Sequence, residues 1–222
     1  MNYQCVIFDM DGTLIDSYEG IYHSYEWTMK KMGRAFGGEQ FVRNAIGAPL
    51  PVTFRKSCGM DEKEAQQAVQ YYREYYDRTG KHEAVLYEGM EKTLKQLKQA
   101  GCFLGVATMK KERFAEEILK SLDVWQYFDA VHGADEEGKF SKADLILQCL
   151  EDAQTAKEHA ILVGDTGFDA EGAANAGIDF LAVTYGFGFS GEDPEEMHGA
   201  VFTAHTAAEI VKGVTNGRKK EA

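Results

Sequence analysis

The stretch Val6-Ile7-Phe8-Asp9-Met10-Asp11-Gly12-Thr13-Leu14 constrains this chain more than any other. A short run of strand-favouring apolar residues leads into two carboxylates and then a Gly-Thr turn. Side chains on extended backbone alternate between faces, so Asp9 and Asp11, two positions apart, project to the same side. Like charges presented together at a strand end are unfavourable unless a cation or a shared proton offsets them. The pattern points to chemistry at the carboxyl end of this strand, and a polar loop after a strand is its plainer reading.

The remainder of the chain divides by pattern and by charge. From Asp16 to Ala84 there are ten acids and ten bases, so the whole formal charge of −12 falls on the remaining residues. Within 16–84 the spacing is helical throughout. Asp16-Ser17 offers an N-cap for a helix through Ile21, Tyr25 and Met29, and a short segment runs from Glu39 to Ile46. Gly47-Ala48-Pro49-Leu50-Pro51 is a turn before a further short helix, and Asp61 with Glu64 forms a capping box for a long helix that Thr79-Gly80 stops.

From Val85 onward helices alternate with strands. Helices are expected at 88–100, 110–122, 142–150, 169–176 and 207–214, with strands at 102–107, 128–132, 160–163, 180–183 and 201–202. Such alternation predicts an α/β fold, a doubly wound parallel sheet with ligands at the carboxyl ends of its strands. The expected organisation is a core of 1–15 and 85–222 carrying an inserted, all-helical domain at 16–84. An insert that leaves and returns at one edge of a site suits a mobile lid; an ordinary helical subdomain is the alternative.

Composition excludes several classes. With 44% hydrophobic residues the chain is not disordered, and it has no apolar run of the roughly 18 residues a membrane span needs. The acidic balance argues against a nucleic acid polymer or an acidic membrane as partner. Four scattered cysteines without metal spacing read as reduced core thiols, and the expected location is the cytoplasm.

Three later stretches supply candidates for chemistry. Thr108, placed between a strand and a helix, can hold phosphate oxygens through its hydroxyl and the next backbone N–H groups, or serve only as an N-cap. Lys142 stands in a first helical turn, where the helix dipole disfavours it; a site holding phosphate and carboxylates would justify it, and a solvated surface lysine is the alternative. Val163-Gly164-Asp165 followed by Asp169 suits a hard, oxygen-ligated cation, with helix capping as the competing role.

Asp9-Met10-Asp11-Gly12-Thr13-Leu14, Thr108, Lys142 and Gly164-Asp165-Thr166-Gly167-Phe168-Asp169 occur in the order found in the haloacid-dehalogenase-like hydrolases, which this chain resembles over nearly its whole length. The insert after the first motif resembles the capped subgroup. Ile46-Gly47-Ala48-Pro49-Leu50, Tyr72-Arg73-Glu74-Tyr75-Tyr76 and Tyr185-Gly186-Phe187-Gly188 are similar to phosphoglycolate phosphatases and, more closely, bacterial 5'-nucleotidases. Met109, where Ser or Asn is usual, and Lys111, where Pro is common, depart from the pattern.

The resemblance implies a magnesium-dependent phosphatase acting on a small phosphorylated metabolite. Asp9 is the implied nucleophile and Asp11 the general acid and base, with Mg2+ held by Asp9, Asp165 and the backbone carbonyl of Asp11, and Asp169 as a ligand or a group behind one. Gly12, Thr108, Met109, Lys110 and Lys142 are the implied phosphate contacts, and Arg43 is a candidate from the insert. Seven of the eleven tyrosines lie in the insert, where they suit either packing or stacking on a base. A sugar phosphomutase and a non-enzymatic phospho-acceptor domain are the alternatives; a monomer or weak homodimer is expected.

Overall fold

The apolar run at the start of the chain forms β1 (Cys5–Phe8), all four of whose side chains are buried. The computed structural model describes residues 2–46, 50–135, 139–189 and 199–216. After β1 come β2 (Ile15–Asp16), α1 (Tyr18–Lys31), α2 (Gly38–Ala45), α3 (Leu50–Lys56), α4 (Glu62–Arg78) and β3 (Val85–Leu86). There follow α5 (Met90–Gln99), β4 (Phe103–Lys111), α6 (Glu112–Ser121), β5 (Ala130–Ala134) and α7 (Lys142–Ala153). The last are β6 (Ala160–Gly164), α8 (Gly167–Ala176), β7 (Asp179–Val183), β8 (Phe202–Ala204) and α9 (Ala207–Asn216). Contacts divide the chain into two units, one of 1–16 with 85–222 and one of 17–84.

The first unit is built on a six-stranded sheet of order β5-β4-β1-β6-β7-β8 with every pairing parallel. β1 lies between β4 and β6, with Cys5 opposite both Phe103 and Ala160. Strand order reverses at β1, and in open α/β sheets such a reversal leaves a crevice at the strands' carboxyl ends. Cys5 and Ile7 join a buried cluster with Leu145, Ile146 and Cys149 of α7 and Ala170 and Ala173 of α8. The alternating Val6 and Phe8 are equally buried, so β1 is covered on both faces, as a central parallel strand must be. α5 and α9 pack together, with Thr93 Oγ1 donating to the Ala207 carbonyl at 2.9 Å. β2 and β3 form a separate antiparallel pair, Ile15 opposite Leu86 and Asp16 opposite Val85.

The second unit contains α1 to α4 and a 3-10 turn at Gly80–Glu83. Tyr25 is its aromatic centre, in edge contact with Phe41, Phe54 and Tyr72 at centroid distances of 5.2, 5.6 and 4.9 Å. Tyr72 stacks on Tyr76 and both are buried, so these two tyrosines pack the unit. The capping box of α4 forms as the spacing predicts, with Glu64 N donating to Asp61 Oδ1 at 2.8 Å and Asp61 N to Glu64 Oε2 at 3.1 Å. Ser17 stands at the N-cap of α1, but its ψ of 12° is not the extended geometry of a capping serine and its side chain makes no cap bond.

Several expected boundaries shift by one to three residues: α2 begins at Gly38, β5 is Ala130–Ala134, α8 begins at Gly167, β8 is Phe202–Ala204, and α7 and α9 run on to Ala153 and Asn216. The strand predicted at 102–107 continues to Lys111 because it pairs with β5 across an irregularity between Thr108 and Lys111, so α6 begins at Glu112 rather than Lys110. α5 begins at Met90, behind a left-handed Gly89 with φ of 79°, rather than at Glu88. Cys5, Cys102 and Cys149 are buried free thiols and Cys58 is partly exposed. The turn expected at Gly47-Ala48-Pro49 and the tail from Gly217 lie outside the described residues. Among the described residues no helix is long and apolar enough to cross a membrane.

Candidate active site

Asp9 follows β1 directly, and its N–H donates to the Val163 carbonyl at 2.9 Å, extending the β1–β6 ladder one residue past the strand. Lys142 is the first residue of α7, whose start is fixed by a capping box between Ser141 and Asp144. Its side chain is only 2% exposed, and Nζ lies 2.5 Å from Asp9 Oδ1 and 2.7 Å from Asp169 Oδ1. A Cβ at Gly172 would overlap the Lys142 stem, so the small residues of α8 make room for the lysine. The surface-lysine reading is thereby excluded.

Asp169 serves two partners. Its Oδ2 accepts from Thr166 N at 3.0 Å and Thr166 Oγ1 at 2.6 Å, closing a capping box on α8, while Oδ1 faces Lys142. Helix capping and participation in the buried cluster are therefore both true of it. Asp165 is fully buried at the end of β6. Thr13 Oγ1 donates to its Oδ1 at 3.1 Å, and Phe187 N and Gly188 N donate to its Oδ2 at 2.8 and 3.2 Å. A Cβ at Gly12, where φ is +86°, or at Gly186 would overlap this carboxylate. Gly186 answers to close backbone approach, and Gly12 to that and to its left-handed backbone.

Oxygens of Asp9, Asp165 and Asp169 lie within 4.8 Å of one another. Burial pushes Asp9 well above the usual carboxylate range against the pull of the Lys142 ammonium, and the charges of Asp169 and Asp165 add to the rise. Asp165 is pushed up to about 6 by burial and by the charge of Asp169, against the pull of its three hydrogen bonds. Burial alone would lower Lys142, but Asp169 and Asp9 outweigh it and raise the ammonium above its ordinary value. Three buried carboxylates around one ammonium leave an excess of negative charge, and the donor set is all oxygen. These residues fit a hard divalent cation such as magnesium.

The second acid of the turn has its own cation. Lys110 Nζ lies 3.0 Å from Asp11 Oδ1, with the lysine side chain 8% and the Asp11 side chain 26% exposed. Oδ1 is shielded from solvent and receives no well-aligned hydrogen bond, so the contact is ionic. Thr108 is buried in β4, not at a helix N-terminus, and its Oγ1 accepts from Lys110 N at 3.1 Å. Met109 is 42% exposed and its thioether offers no strong donor for phosphate. Gly12 N donates to the Ile15 carbonyl at 2.9 Å, so this N–H belongs to the turn. Arg43 belongs to the helical unit, paired with Glu39 at 2.8 Å and lying over the Tyr18 ring at 5.1 Å.

Sequence reasoning missed the residues that hold Asp165. Thr13 and the loop after β7 reach it, and Tyr185 Oη ties that loop to the first motif by donating to the Thr13 carbonyl at 2.9 Å. The two glycines of Tyr185-Gly186-Phe187-Gly188 were the available signal for close approach.

A family model described as haloacid dehalogenase-like hydrolase matches residues 6–183. A 5'-nucleotidase of Pseudomonas aeruginosa is 34% identical over 193 residues, 86% of this chain and 87% of that protein. Tyrosine-protein kinase PtkA of Mycobacterium tuberculosis is 35% identical over 186 residues, 83% of this chain and 63% of that one. A haloacid dehalogenase-like hydrolase structure from Streptococcus pneumoniae superposes with a TM-score of 0.86 at 33% identity, covering 95% of this chain and 98% of its own. The match takes in Asp9, Asp11, Thr108, Lys142, Asp165 and Asp169, the side chains just described around the strand-order reversal, and the chain belongs to the haloacid dehalogenase-like hydrolase family.

Proposed function

We propose that this chain is a magnesium-dependent phosphatase that hydrolyses a small phosphate monoester, of the phosphoglycolate or nucleoside 5'-monophosphate type, through an aspartyl-phosphate. The observation that carries the reading is the buried Asp9–Lys142–Asp169 array beside Asp165. Lys142 anchors Asp9 through Oδ1, which leaves Oδ2 as the attacking oxygen. Asp9, Asp165 and Asp169, with the backbone carbonyl of Asp11, would hold magnesium, which when bound neutralises phosphate oxygens.

The chain's own groups perform the proton and covalent steps. Asp9 attacks phosphorus and the ester bond breaks as Asp11 gives its proton to the departing alkoxide. Asp11 then takes a proton from water, whose oxygen attacks the same phosphorus, releasing phosphate and regenerating the Asp9 carboxylate. Thr108 Oγ1 accepts from Lys110 N, which leaves its own proton available for donation to a phosphate oxygen. Lys142 balances the anionic charge throughout. Met109 contributes its backbone N–H alone.

The name of the Pseudomonas relative supports a phosphomonoester substrate, whereas the mycobacterial one, at 35% against 34% identity, is named a tyrosine-protein kinase. Family membership therefore leaves the acceptor to experiment. With magnesium present, phosphate release is measured from phosphoglycolate, nucleoside monophosphates, sugar phosphates and a tyrosine phosphopeptide. Release from a small ester, abolished in Asp9→Asn with the fold retained, is the expected result. Isomerised sugar phosphate would instead indicate a mutase, and a persistent phosphoprotein without release a phospho-acceptor.

A further inference from the structure

The irregularity between Thr108 and Lys111 aims Lys110 at the first motif. Thr108 stands opposite Gly133 of β5 and Lys111 opposite Ala134, so Met109 and Lys110 have no residue facing them on the neighbouring strand. Bulges of this kind re-aim side chains and collect beside active sites. Here the hydrogen bond from Lys110 N back to Thr108 Oγ1 closes the bulge, Met109 turns to solvent, and the Lys110 ammonium comes to ionic distance of Asp11. Lys142 has already been claimed by Asp9 and Asp169, so the two lysines serve different carboxylates.

We propose that Lys110 is a positioning residue for the acid-base step: it holds Asp11 through Oδ1, so that Oδ2 is the oxygen that passes a proton to the leaving group and takes one from water. The proposal rests on the role given to Asp11 above. It replaces the expected phosphate contact of Lys110 with a contact to the carboxylate. An ammonium with an 8% exposed side chain, 3.0 Å from a shielded carboxylate oxygen, is placed to fix that group, whereas a phosphate clamp presents its charge to the open site.

The test compares wild type, Lys110→Met and Lys110→Arg with magnesium on two esters. A nucleoside 5'-monophosphate has an alkoxide leaving group that needs Asp11's proton, and p-nitrophenyl phosphate has a phenolate that leaves without one. Proton donation is worth roughly 10²–10⁴ in rate, so kcat/KM of Lys110→Met should fall about 100-fold on the alkyl ester and less than about 5-fold on the aryl ester. The inhibition constant of inorganic phosphate should stay within about twofold, and Lys110→Arg should recover part of the alkyl rate. Equal losses on both esters, or a weakened phosphate inhibition, would overturn the assignment in favour of a phosphate contact or a structural role. Circular dichroism and a melting curve separate either from misfolding, and a Lys110→Met protein that does not fold transfers the comparison to Lys110→Arg, whose alkyl-to-aryl ratio must then fall. If wild type releases phosphate from neither ester, the phosphatase reading fails first and the Lys110 assignment with it.

Discussion

Replacing Lys142 by Met removes the ammonium from a buried cluster while keeping a side chain of similar length in the space beside Gly172. Deleting one partner of a buried ion pair costs about 3–5 kcal/mol when the other charge stays buried. The orphaned carboxylates have a second course, which is to take up a proton. For a carboxyl of ordinary pKa near 4, protonation costs about 1.4 kcal/mol per pH unit, hence about 5.5 kcal/mol at pH 8 but only about 1.4 kcal/mol at pH 5. The destabilisation of Lys142→Met in EDTA should therefore be about 4 kcal/mol at pH 8 and under about 2 kcal/mol at pH 5. The sign follows from linkage: the variant's native state binds more protons than its unfolded state, so its stability falls as pH rises above about 4. For a chain of this length about 4 kcal/mol corresponds to a fall in melting temperature of roughly 8–16 °C. Urea unfolding followed by circular dichroism at the two pH values reads the difference directly. An equal loss at pH 5 and pH 8 would refute the electrostatic account and attribute the effect to packing.

Two further outcomes follow from the groups around Asp165. Gly186→Ala places a Cβ against the Gly12 carbonyl and the Asp165 carboxylate, so it should cost about 1–3 kcal/mol in urea unfolding and weaken magnesium binding measured by calorimetry; unchanged stability and binding would show that the loop yields freely. In metal-free wild type, Asp165 is raised from an ordinary 3.8 to about 6, so the native state holds the proton longer than the unfolded state. Its contribution to stability should fall by about 3 kcal/mol as pH rises from about 4 to about 6, and saturating magnesium should suppress that slope; a flat profile in EDTA would count against it.

The central strands were legible because parallel strands buried on both faces are continuous apolar runs, as in Cys5–Phe8 and Ala160–Gly164. β2 and β3, two residues each, are too short to carry a period. The β4–α6 boundary was misplaced because Met109, Lys110 and Lys111 resemble the polar start of a helix, while pairing with β5 holds them in the strand. Asp9, Asp165, Asp169 and Lys142 could be singled out because each stands just past a strand or at a helix start, where projection toward one crevice follows from topology. The hold on Asp165 was not legible, because two of its three donors are backbone N–H groups that leave no mark on residue type. The pairing of Lys110 with Asp11 was hidden for a related reason: it depends on a bulge, and a bulge is a property of two strands together.

The acids of the first unit are each restrained before any substrate arrives. Asp9 is held by Lys142, Asp169 by Lys142 and Thr166, Asp165 by Thr13 and two backbone amides, and Asp11 by Lys110. Hydrogen bonds to charged groups contribute about 1.5–3 kcal/mol each, and unpaired buried charges cost more than that, so the cluster persists only because no member is left alone. The raised Asp9 and Asp165 carboxyls show that the restraint is incomplete: the protein supplies less positive charge than the carboxylates require. Under the proposed function that deficit is what a divalent cation would offset, and a bound cation together with Lys142 would then receive a dianionic phosphate. Adding a lysine beside Asp165 would stabilise the empty protein and, by the same charge balance, weaken its hold on the metal. Under that reading the destabilising excess of acid is part of what the site would use to bind.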